Sequence, residues 1–332
     1  MRAIVPACFG GPEVLQIGEA PEPVLREGDL LIAVRAAGVN RADLLQRLGR
    51  YPPPPSESSL IGLEVAGEVM EVSPGAAGRG PGGRSYQRGD RVMALLASGG
   101  YAERVRVPAS QALPIPERLS YAQAAAIPEA FLTAWLNLFL IGRLEAGEVV
   151  IVHAAASGVG TAALQLCRGV AGVVLATASK AKLDACLRFG ATHVLERSEV
   201  AQALPAAIRS AAGRGADIIL DLVGAAYLDA NITSLHLHGR LLCLSTQSGS
   251  KAELDLGALL SKRLSVLGST LRTRTEAQKA KLVASFAERG LPRLRDGELE
   301  PVVARTFPLE QARAAHEVLA SNEVVGKLVL EV

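Results

Sequence analysis

Residues 157–163 read SGVGTAA, and their spacing is typical of a turn that binds phosphate groups. Gly158, Gly160 and Ala163 match the pattern G-x-G-x-x-A, which in dinucleotide-binding proteins follows an apolar strand and opens a helix. The first glycine permits a tight turn, the second lets backbone N–H groups approach a pyrophosphate, and the small third residue lets helix and strand pack closely. Because a helix N-terminus also favours anions, we predict a dinucleotide site at Ser157, Gly158, Val159 and Gly160. The alternative is a structural glycine turn that binds no ligand.

The residues after the next predicted strand indicate which dinucleotide is favoured. An acidic residue there would hold a ribose 2′-hydroxyl, whereas this chain reads ATASKAK over residues 176–182. No carboxylate would repel a 2′-phosphate, and a hydroxyl (Ser179) and two lysines (Lys180 and Lys182) would attract one. The sequence therefore favours NADPH over NADH. The alternative is that the lysines lie on the solvent-exposed face of a helix.

A catalytic zinc site needs cysteine, histidine and carboxylate ligands, and the first half of the chain offers few. Its only cysteine is Cys8, and the first histidine is His153. The chain has 4 cysteines, which lie far apart with no C-x-x-C pair, so neither a disulfide framework nor a cysteine-based zinc site is indicated. We predict chemistry without a metal. The cysteine usage and the absence of a long apolar leader also predict a cytoplasmic protein.

The length and composition are those of a globular protein with two domains. The chain has 332 residues, of which 49% are hydrophobic and 20% are charged, with a net charge of +2. Two units of this size can each bury a core, and nothing indicates disorder or binding to nucleic acid. The uncharged run 149–167 is long enough to span a membrane, but polar residues and glycines interrupt it. We predict a strand, a turn and a helix there, a buried helix at 130–142, and no contact with a membrane.

The order of elements changes near residue 123. Residues 1–122 contain short β-like segments separated by Gly and Pro, which predicts an all-β or barrel-like domain. Strand and helix candidates then alternate, a pattern typical of a doubly wound parallel α/β sheet. The Gly-rich segment 73–90 is predicted to be a surface loop. The segment 264–271 is expected at an open apolar edge of the sheet, which predicts a homodimer joined through that strand.

The whole chain resembles the medium-chain dehydrogenase/reductase superfamily, in the zinc-free quinone oxidoreductase branch that includes zeta-crystallin, and most of all the stress-inducible animal members of that branch. The resemblance rests on the segments AAGVNRADLLQRLGRYPPPP, GLEVAGEV, GDRVMAL, AAAIPEAFLTAW, HAAASGVGTAALQL and GKLVLE. Zinc-containing relatives have a cysteine at the position of Asn40 and a histidine at that of Leu63. They also have a structural zinc lobe with four cysteines, which this chain lacks.

The resemblance implies a GroES-like β-barrel domain at 1–122, completed by 290–332, and a Rossmann domain at 123–289, with NADPH in the cleft between them. It implies that the 2′-phosphate meets Ser179 and Lys182, and that Arg197 replaces a tyrosine contact of relatives. Asn322 stands where some relatives have an arginine, and Gly224 is included among the cofactor contacts. The nicotinamide end would be lined by Asn40, Asp43, Tyr51, Thr133, Ser245, Thr246, Ser269, Thr270 and Leu271.

The implied reaction is hydride transfer from NADPH to a quinone, for which the protein must hold the reactants together and exclude water. Tyr51 is the candidate donor of a hydrogen bond or proton to the developing oxyanion, and Asn40 is the candidate orienting amide. The alternative is that Tyr51 is a pocket wall and Asn40 a turn residue. Two other functions stay open: reduction of α,β-unsaturated aldehydes or ketones, and NADPH binding by a redox sensor or structural protein with incidental turnover.

Overall fold

The computed structural model describes residues 1–332, which form two compact units. The first unit comprises Met1–Leu132 and Leu271–Val332, and the second comprises Thr133–Thr270. The strands are β1 (Arg2–Pro6), β2 (Leu15–Glu19), β3 (Asp29–Val39), β4 (Glu64–Val72), β5 (Arg91–Leu95), β6 (Arg104–Pro108), β7 (Ala112–Pro114), β8 (Val149–Val152), β9 (Val173–Ala178), β10 (His193–Glu196), β11 (Ala216–Asp221), β12 (Leu235–Cys243), β13 (Ser265–Gly268), β14 (Val303–Pro308) and β15 (Lys327–Glu331). The α-helices are α1 (Arg41–Arg47), α2 (Tyr121–Ala124), α3 (Pro128–Trp135), α4 (Gly158–Cys167), α5 (Leu183–Phe189), α6 (Val200–Ala212), α7 (Leu228–Ser234), α8 (Leu256–Ser261), α9 (Glu276–Arg289), α10 (Leu291–Arg295) and α11 (Ala312–Ala320).

The first unit is built on a seven-stranded sheet in the order β14-β15-β3-β4-β5-β7, with β6 also paired to β3. All of its pairs are antiparallel except β14 with β15. Apolar side chains such as Ile32, Val65 and Leu328 are fully or almost fully buried in its core. The pairing of β15 with β3 sets Leu328 opposite Val39. The start of the last strand therefore lies beside the end of β3, where α1 begins.

The second unit contains a six-stranded parallel sheet in the order β10-β9-β8-β11-β12-β13. Counted within this unit, the order is 3-2-1-4-5-6, which is that of the Rossmann fold. The central strands are buried on both faces, as Ile218, Ile219 and Leu220 illustrate with no exposed surface. The predicted doubly wound α/β sheet is confirmed. Because the strands are parallel, their carboxyl ends all meet at one edge of the sheet.

The unit boundaries differ from those expected from the sequence. The structure divides the chain at 132/133 and 270/271, where we expected 122/123 and 289/290. The reason is packing: α2 contacts β3 and β4, and α9 contacts β7, so both helices belong with the strands of the first unit. The first boundary consequently falls inside α3 rather than ahead of the apolar helical segment.

The long apolar stretches are accounted for by burial within the protein. The helical stretch Tyr121–Ile141 is long and apolar enough to cross a membrane, but most of it is buried inside the structure. It consists of α2, α3 and a π-helical segment, Leu136–Ile141. The run 149–167 forms β8, a turn and α4, as predicted. The segment 73–90 is a loop with one short 3-10 turn, also as predicted.

The last strand of the parallel sheet lies at its edge, as expected, but is shorter than the predicted segment. Only Ser265–Gly268 pairs with β12, and nothing pairs with the other side of β13. Residues 269–271 leave the sheet, and Leu271 already belongs to the first unit, where it is buried.

Candidate active site

The second unit brings most of the predicted dinucleotide contacts to one edge of its sheet. Each strand ends shortly before one or two of them, and parallel strands share their carboxyl edge. This is where open α/β sheets bind their ligands. The residues in question are Ser157 after β8, Ser179 after β9, Arg197 after β10, Gly224 after β11, Ser245 and Thr246 after β12, and Ser269 and Thr270 after β13.

The turn between β8 and α4 has the features of a phosphate site. Ser157 is the N-cap of α4, and its hydroxyl accepts a hydrogen bond from the N–H of Gly160 at 3.1 Å. The N–H groups of Gly158 and Val159 donate to no acceptor in the protein. Free N–H groups at the positive end of a helix suit an anion. Ser157, Gly158 and Val159 are also partly exposed, so the predicted pyrophosphate site fits the geometry.

The structure gives a reason for Gly160 that the sequence analysis did not state, and it shows no left-handed backbone at Gly158. The residue with left-handed backbone is Ala154, at φ 47°, and not Gly158. A Cβ on Gly160 would lie 2.5 Å from the carbonyl oxygen of Ala155 and 2.6 Å from that of Ala154. Gly160 is therefore required because the turn folds back onto the helix start. The neighbouring backbone alone therefore requires a glycine at this position, whether or not a ligand binds.

The residues expected at a 2′-phosphate form a short turn after β9. Ser179 precedes the 3-10 turn Lys180–Lys182, and its carbonyl accepts from the N–H of Lys182 at 2.8 Å. The hydroxyl of Ser179 makes no capping bond. Ser179 and Lys182 are partly buried, whereas Lys180 is exposed. The turn thus offers the free hydroxyl of Ser179 and a partly buried lysine, Lys182. Of the two lysines, the partly buried Lys182 is the better candidate for a phosphate partner.

Arg197 follows a strand of this sheet, whereas two further predicted contacts, Thr133 and Asn322, do not. Arg197 is exposed, and its carbonyl accepts from the hydroxyl of Tyr227 at 2.9 Å. Thr133 lies in α3, where its carbonyl accepts from Asn137. Asn322 belongs to the first unit, is exposed in the turn after α11 with φ 60°, and accepts from Arg41. Their contacts with a cofactor stay predictions.

A buried polar chain beneath the carboxyl edge was missed by the sequence analysis. His153 is fully buried, with Nδ1 2.8 Å from Thr177 Oγ1 and Nε2 2.7 Å from Asn231 Oδ1. The amide nitrogen of Asn231 donates to Asp221 at 3.2 Å, so its oxygen must accept from His153. His153 is therefore protonated on Nε2, and burial lowers its pKa despite the charge of Asp221. The sequence signal was a polar residue at the end of an apolar strand.

This chain fixes the loop that carries Gly224. The other carboxylate oxygen of Asp221 accepts from the N–H groups of Val223 at 2.7 Å and Gly224 at 3.0 Å. Gly224 has φ 101°, and a Cβ there would lie 2.9 Å from the carbonyl oxygen of Ser245 and 3.0 Å from the Cα of Thr246. The glycine is needed for this close approach, and it brings three predicted cofactor residues into contact.

In the first unit, a buried array holds the candidate amide Asn40. We call Asn40, Glu64 and Lys327 the Glu64 array. Glu64 is fully buried and lies 2.6 Å from the ammonium of Lys327, whose side chain is 6% exposed. Asn40 donates to Glu64 at 2.9 Å through Nδ2 and accepts from Lys327 through Oδ1. Both ends of the Asn40 amide are thus engaged inside the protein, and its predicted role beside the substrate stays a prediction.

Glu64 also anchors two backbone segments. Its second oxygen accepts from the N–H of Glu129 at 2.8 Å, at the start of α3. A Cβ on Gly38 would lie against its first oxygen and 2.5 Å from the carbonyl oxygen of Ala125. Gly38 therefore leaves the space that the carboxylate occupies. The neighbours of Glu64 come from β3, α1, α3 and β15, so a single carboxylate joins four elements.

Asp43 is a buried hydrogen-bond partner of Asn40. It is fully buried, and one of its oxygens accepts from the N–H of Asn40 at 2.7 Å and from the hydroxyl of Tyr101 at 3.0 Å. Burial, opposed by the Asn40 N–H, raises the pKa of Asp43 to about 6. Its carboxyl is fully enclosed in the structure, and the predicted contact of Asp43 with the cofactor stays a prediction. Tyr101 continues the chain to His316 Nε2 at 3.2 Å.

Tyr51 is held in place by a buried arginine that the sequence analysis did not single out. Arg272, 2% exposed, donates to the carbonyl of Tyr51 at 2.8 Å and to Gln46 at 2.6 Å. Its guanidinium carbon lies 5.1 Å from the centre of the Tyr51 ring. The hydroxyl of Tyr51 bonds to no protein group, and burial followed by the charge of Glu129 raises its pKa. Tyr51 therefore presents a protonated hydroxyl that is available to a ligand.

Comparison with known proteins matches both units. The family models for the alcohol dehydrogenase GroES-like domain and for zinc-binding dehydrogenases match residues 26–117 and 158–287. The quinone oxidoreductase of Rattus norvegicus is 32% identical over 99% of this chain and 97% of its own length. The synaptic vesicle membrane protein VAT-1 homolog of Homo sapiens is 31% identical over 99% of this chain and 86% of its own. A mycobacterial protein solved with NADPH superimposes with a TM-score of 0.88 at 30% identity, with 100% of both chains covered. The predicted GroES-like domain is confirmed.

The residues of the first unit do not fit the zinc in the name of the second model. A catalytic zinc takes thiolate, imidazole and carboxylate ligands, but Asn40 offers an engaged amide and Leu63 an apolar side chain that is 1% exposed. No group of three His, Cys, Asp or Glu side chains in the structure is placed to hold a metal ion. The ammonium of Lys327 beside Glu64 would also repel a cation.

Removing the cation of the Glu64 array should cost much of the stability of the first unit. We expect Lys327→Met to lower the free energy of unfolding by about 3–5 kcal/mol, because it leaves the Glu64 carboxylate buried without a counter-ion. Chemical denaturation measures the change. The double variant Glu64→Gln with Lys327→Met should recover part of the loss, and Lys281→Met, at an exposed lysine, is the matched control. Equal stability of the Lys327 and Lys281 variants would contradict the assignment.

Proposed function

We propose, because the chain belongs to the medium-chain dehydrogenase/reductase superfamily in its quinone oxidoreductase branch, that it transfers a hydride from NADPH to a quinone without a metal. Membership makes it an NAD(P)H-dependent oxidoreductase. The observation that carries the finer proposal is the Glu64 array. Where relatives with zinc place a cysteine and a histidine, this chain has Asn40 and Leu63, and the ammonium of Lys327 neutralises Glu64.

The residues at the carboxyl edge of the second unit support NADPH as the reductant. Bound NADPH supplies the hydride. The free N–H groups of Gly158 and Val159 would hold the pyrophosphate. The hydroxyl of Ser179 and the ammonium of Lys182 would hold the 2′-phosphate, in a turn with no acidic residue between Ala176 and Lys182.

Tyr51 is our candidate for contact with the substrate. Its free, protonated hydroxyl would donate a hydrogen bond to the quinone oxygen on which negative charge develops. Arg272 and Gln46 fix the backbone on which Tyr51 stands, so the hydroxyl is positioned before any ligand arrives. Asn40 would act through the array, as a positioning residue for the start of α1.

A homodimer joined through the edge strand is part of the proposal. Apolar side chains that are unusually exposed for their type lie in β13 and in the two elements before it in the chain. They are Leu237 (44%) in β12, Leu256 (62%) and Leu260 (75%) in α8, and Val266 (40%) in β13. Pairing with a second copy would cover both the open edge and these side chains. Sedimentation of the protein beside Val266→Lys would test it.

The choice of cofactor is tested at the turn after β9. We expect Ser179→Ala with Lys182→Ala to weaken NADPH binding about 10- to 100-fold, because a charge-assisted contact with the 2′-phosphate is lost. Binding of NADH should stay unchanged, since it lacks that phosphate. Lys180→Ala is the matched control and should change neither value. If the wild-type protein binds NADH as tightly as NADPH, the assignment of Ser179 and Lys182 is wrong.

The reaction itself is tested by single-turnover oxidation of NADPH against a panel of quinones and of α,β-unsaturated aldehydes and ketones. We expect fast oxidation by quinones. Faster oxidation of NADPH by enones than by quinones would show that the protein is an enone reductase and not a quinone reductase. Tight NADPH binding without oxidation by any acceptor would refute the enzyme and favour a redox sensor. Following the semiquinone by electron paramagnetic resonance would also tell one-electron from two-electron reduction.

A further inference from the structure

We infer that Glu129 is a catalytic residue of this site, a carboxylic acid that gives its proton to the oxygen of the quinone as hydride reduces it. The inference rests on the proposed function and adds a proton donor to it. Glu129 is the second residue of α3, in the segment AAAIPEAFLTAW. No role follows for it from the sequence pattern, and its position against the Glu64 array first points to one.

The backbone of Glu129 is fixed while its carboxyl is left free. Its N–H donates to Glu64 at 2.8 Å, so the start of α3 is tied to the array. The side chain is partly buried, and its carboxyl makes no hydrogen bond or ion pair within the protein. A buried or half-buried carboxyl normally has a partner. Its absence here leaves the group available to a ligand.

Several polar side chains around Glu129 form hydrogen bonds or ion pairs with other protein groups, which the Glu129 carboxyl does not. Asn40 and Lys327 bond to Glu64, and Arg272 bonds to Gln46 and to the Tyr51 carbonyl. These groups hold the site together but have little capacity left for a substrate. The Tyr51 hydroxyl and the Glu129 carboxyl, by contrast, have free polar ends. The charge of Glu129 raises the pKa of Tyr51.

Burial and two neighbouring carboxylates keep Glu129 protonated at neutral pH. Burial first, and then the carboxylates of Glu64 and Asp43, raise its pKa to about 8, although Lys327 and Lys279 act in the opposite direction. Its place in the first turn of a helix also favours the charged form, and burial outweighs that effect. The titratable and charged groups around Glu129 are Asp43 in α1, Glu64 in β4, Lys279 in α9, Lys327 in β15, and Tyr51 and Arg272 in loops.

The chemistry needs one such group. Reduction of a quinone by hydride places two electrons on the substrate: the hydride would become the hydrogen of one hydroxyl group, and the other oxygen would be left as an anion that takes up a proton. In the proposed step the O–H bond of Glu129 breaks and an O–H bond forms on the substrate oxygen. The quinone becomes the hydroquinone as NADPH is oxidised to NADP⁺, and the Glu129 carboxylate regains its proton from solvent.

Tyr51 and Glu129 then have different tasks. An acid works best when its pKa is near the working pH. The pKa of Tyr51 is raised above its ordinary value, which makes its hydroxyl a good hydrogen-bond donor and a poor proton donor. The pKa of Glu129, about 8, lies nearer to neutral pH. The geometry points to Tyr51 as the group that orients the substrate and to Glu129 as the acid.

The test compares the wild type with Glu129→Gln and Glu129→Asp over a pH profile of kcat. The wild type should lose activity as pH rises through about 8, because the acid form disappears. We expect Glu129→Gln to be slower by about 10²-fold and to lack that decline. Glu129→Asp should recover part of the rate with a shifted decline. Glu117→Gln, at an exposed glutamate of the same unit, should match the wild type.

A second readout needs neither cofactor nor substrate. The folded protein holds the Glu129 proton more tightly than the unfolded chain, whose glutamates titrate near pH 4.3. The stability contributed by this group is therefore present at low pH and is lost as pH rises towards about 8. As pH rises from about 4.3 to about 8, the Tm of the wild type should therefore fall relative to the Tm of Glu129→Gln. Infrared titration of the protonated carboxyl should show one group near pH 8 that the variant lacks.

The outcomes separate the inference from the proposed function. If the wild type oxidises NADPH with no quinone or enone, the proposed function fails and the acid role fails with it. If the wild type is active but Glu129→Gln keeps both the rate and the pH profile, only the Glu129 assignment is overturned. A Tm difference that is independent of pH would contradict the protonated state. Should Glu129→Gln fail to fold, an unshifted profile of Glu129→Asp would overturn the assignment in its place.

Discussion

The buried pair of Glu64 and Lys327 is the interaction on which the first unit depends. A carboxylate with no exposed surface is tolerated only with a counter-ion and with hydrogen bonds to its remaining lone pairs. Lys327 supplies the charge at 2.6 Å, Asn40 and the N–H of Glu129 supply the bonds, and Gly38 supplies the space. The pair cannot form unless β15 lies against β3, which ties the end of the chain to its beginning.

This constraint also shapes the chemistry. In the proposed reaction without a metal, the cation beside Glu64 is the ammonium of Lys327. Stabilising a developing oxyanion would then fall to proton and hydrogen-bond donors. The buried Glu64 carboxylate contributes to the raised pKa of its neighbour Glu129, while Arg272 holds Tyr51. The proposed positioning and proton supply would thus follow from one arrangement of charges.

The parts of the fold that could be predicted from the sequence are those that local patterns specify. β8 and α4 lie in the run 149–167, where we predicted a strand, a turn and a helix, and the parallel order of strands brings the predicted phosphate residues to one edge. The polar pairings could not be predicted. Asn40 and Lys327 lie 287 positions apart, and Arg272 and Gln46 lie 226 apart, so neither pair leaves a local signal. The burial of Asp43 could not be predicted either, because residue type indicates what a side chain can bind but not whether it is enclosed.

The central claim, that the protein reduces a quinone without a metal, is tested most directly by metal analysis joined to activity. Purified protein would be assayed for zinc by mass spectrometry and for NADPH oxidation by a quinone, before and after dialysis against a chelator. The account predicts far less than one zinc per chain and the same rate after dialysis. One zinc per chain, with activity that is lost on chelation and regained on adding zinc, would contradict it.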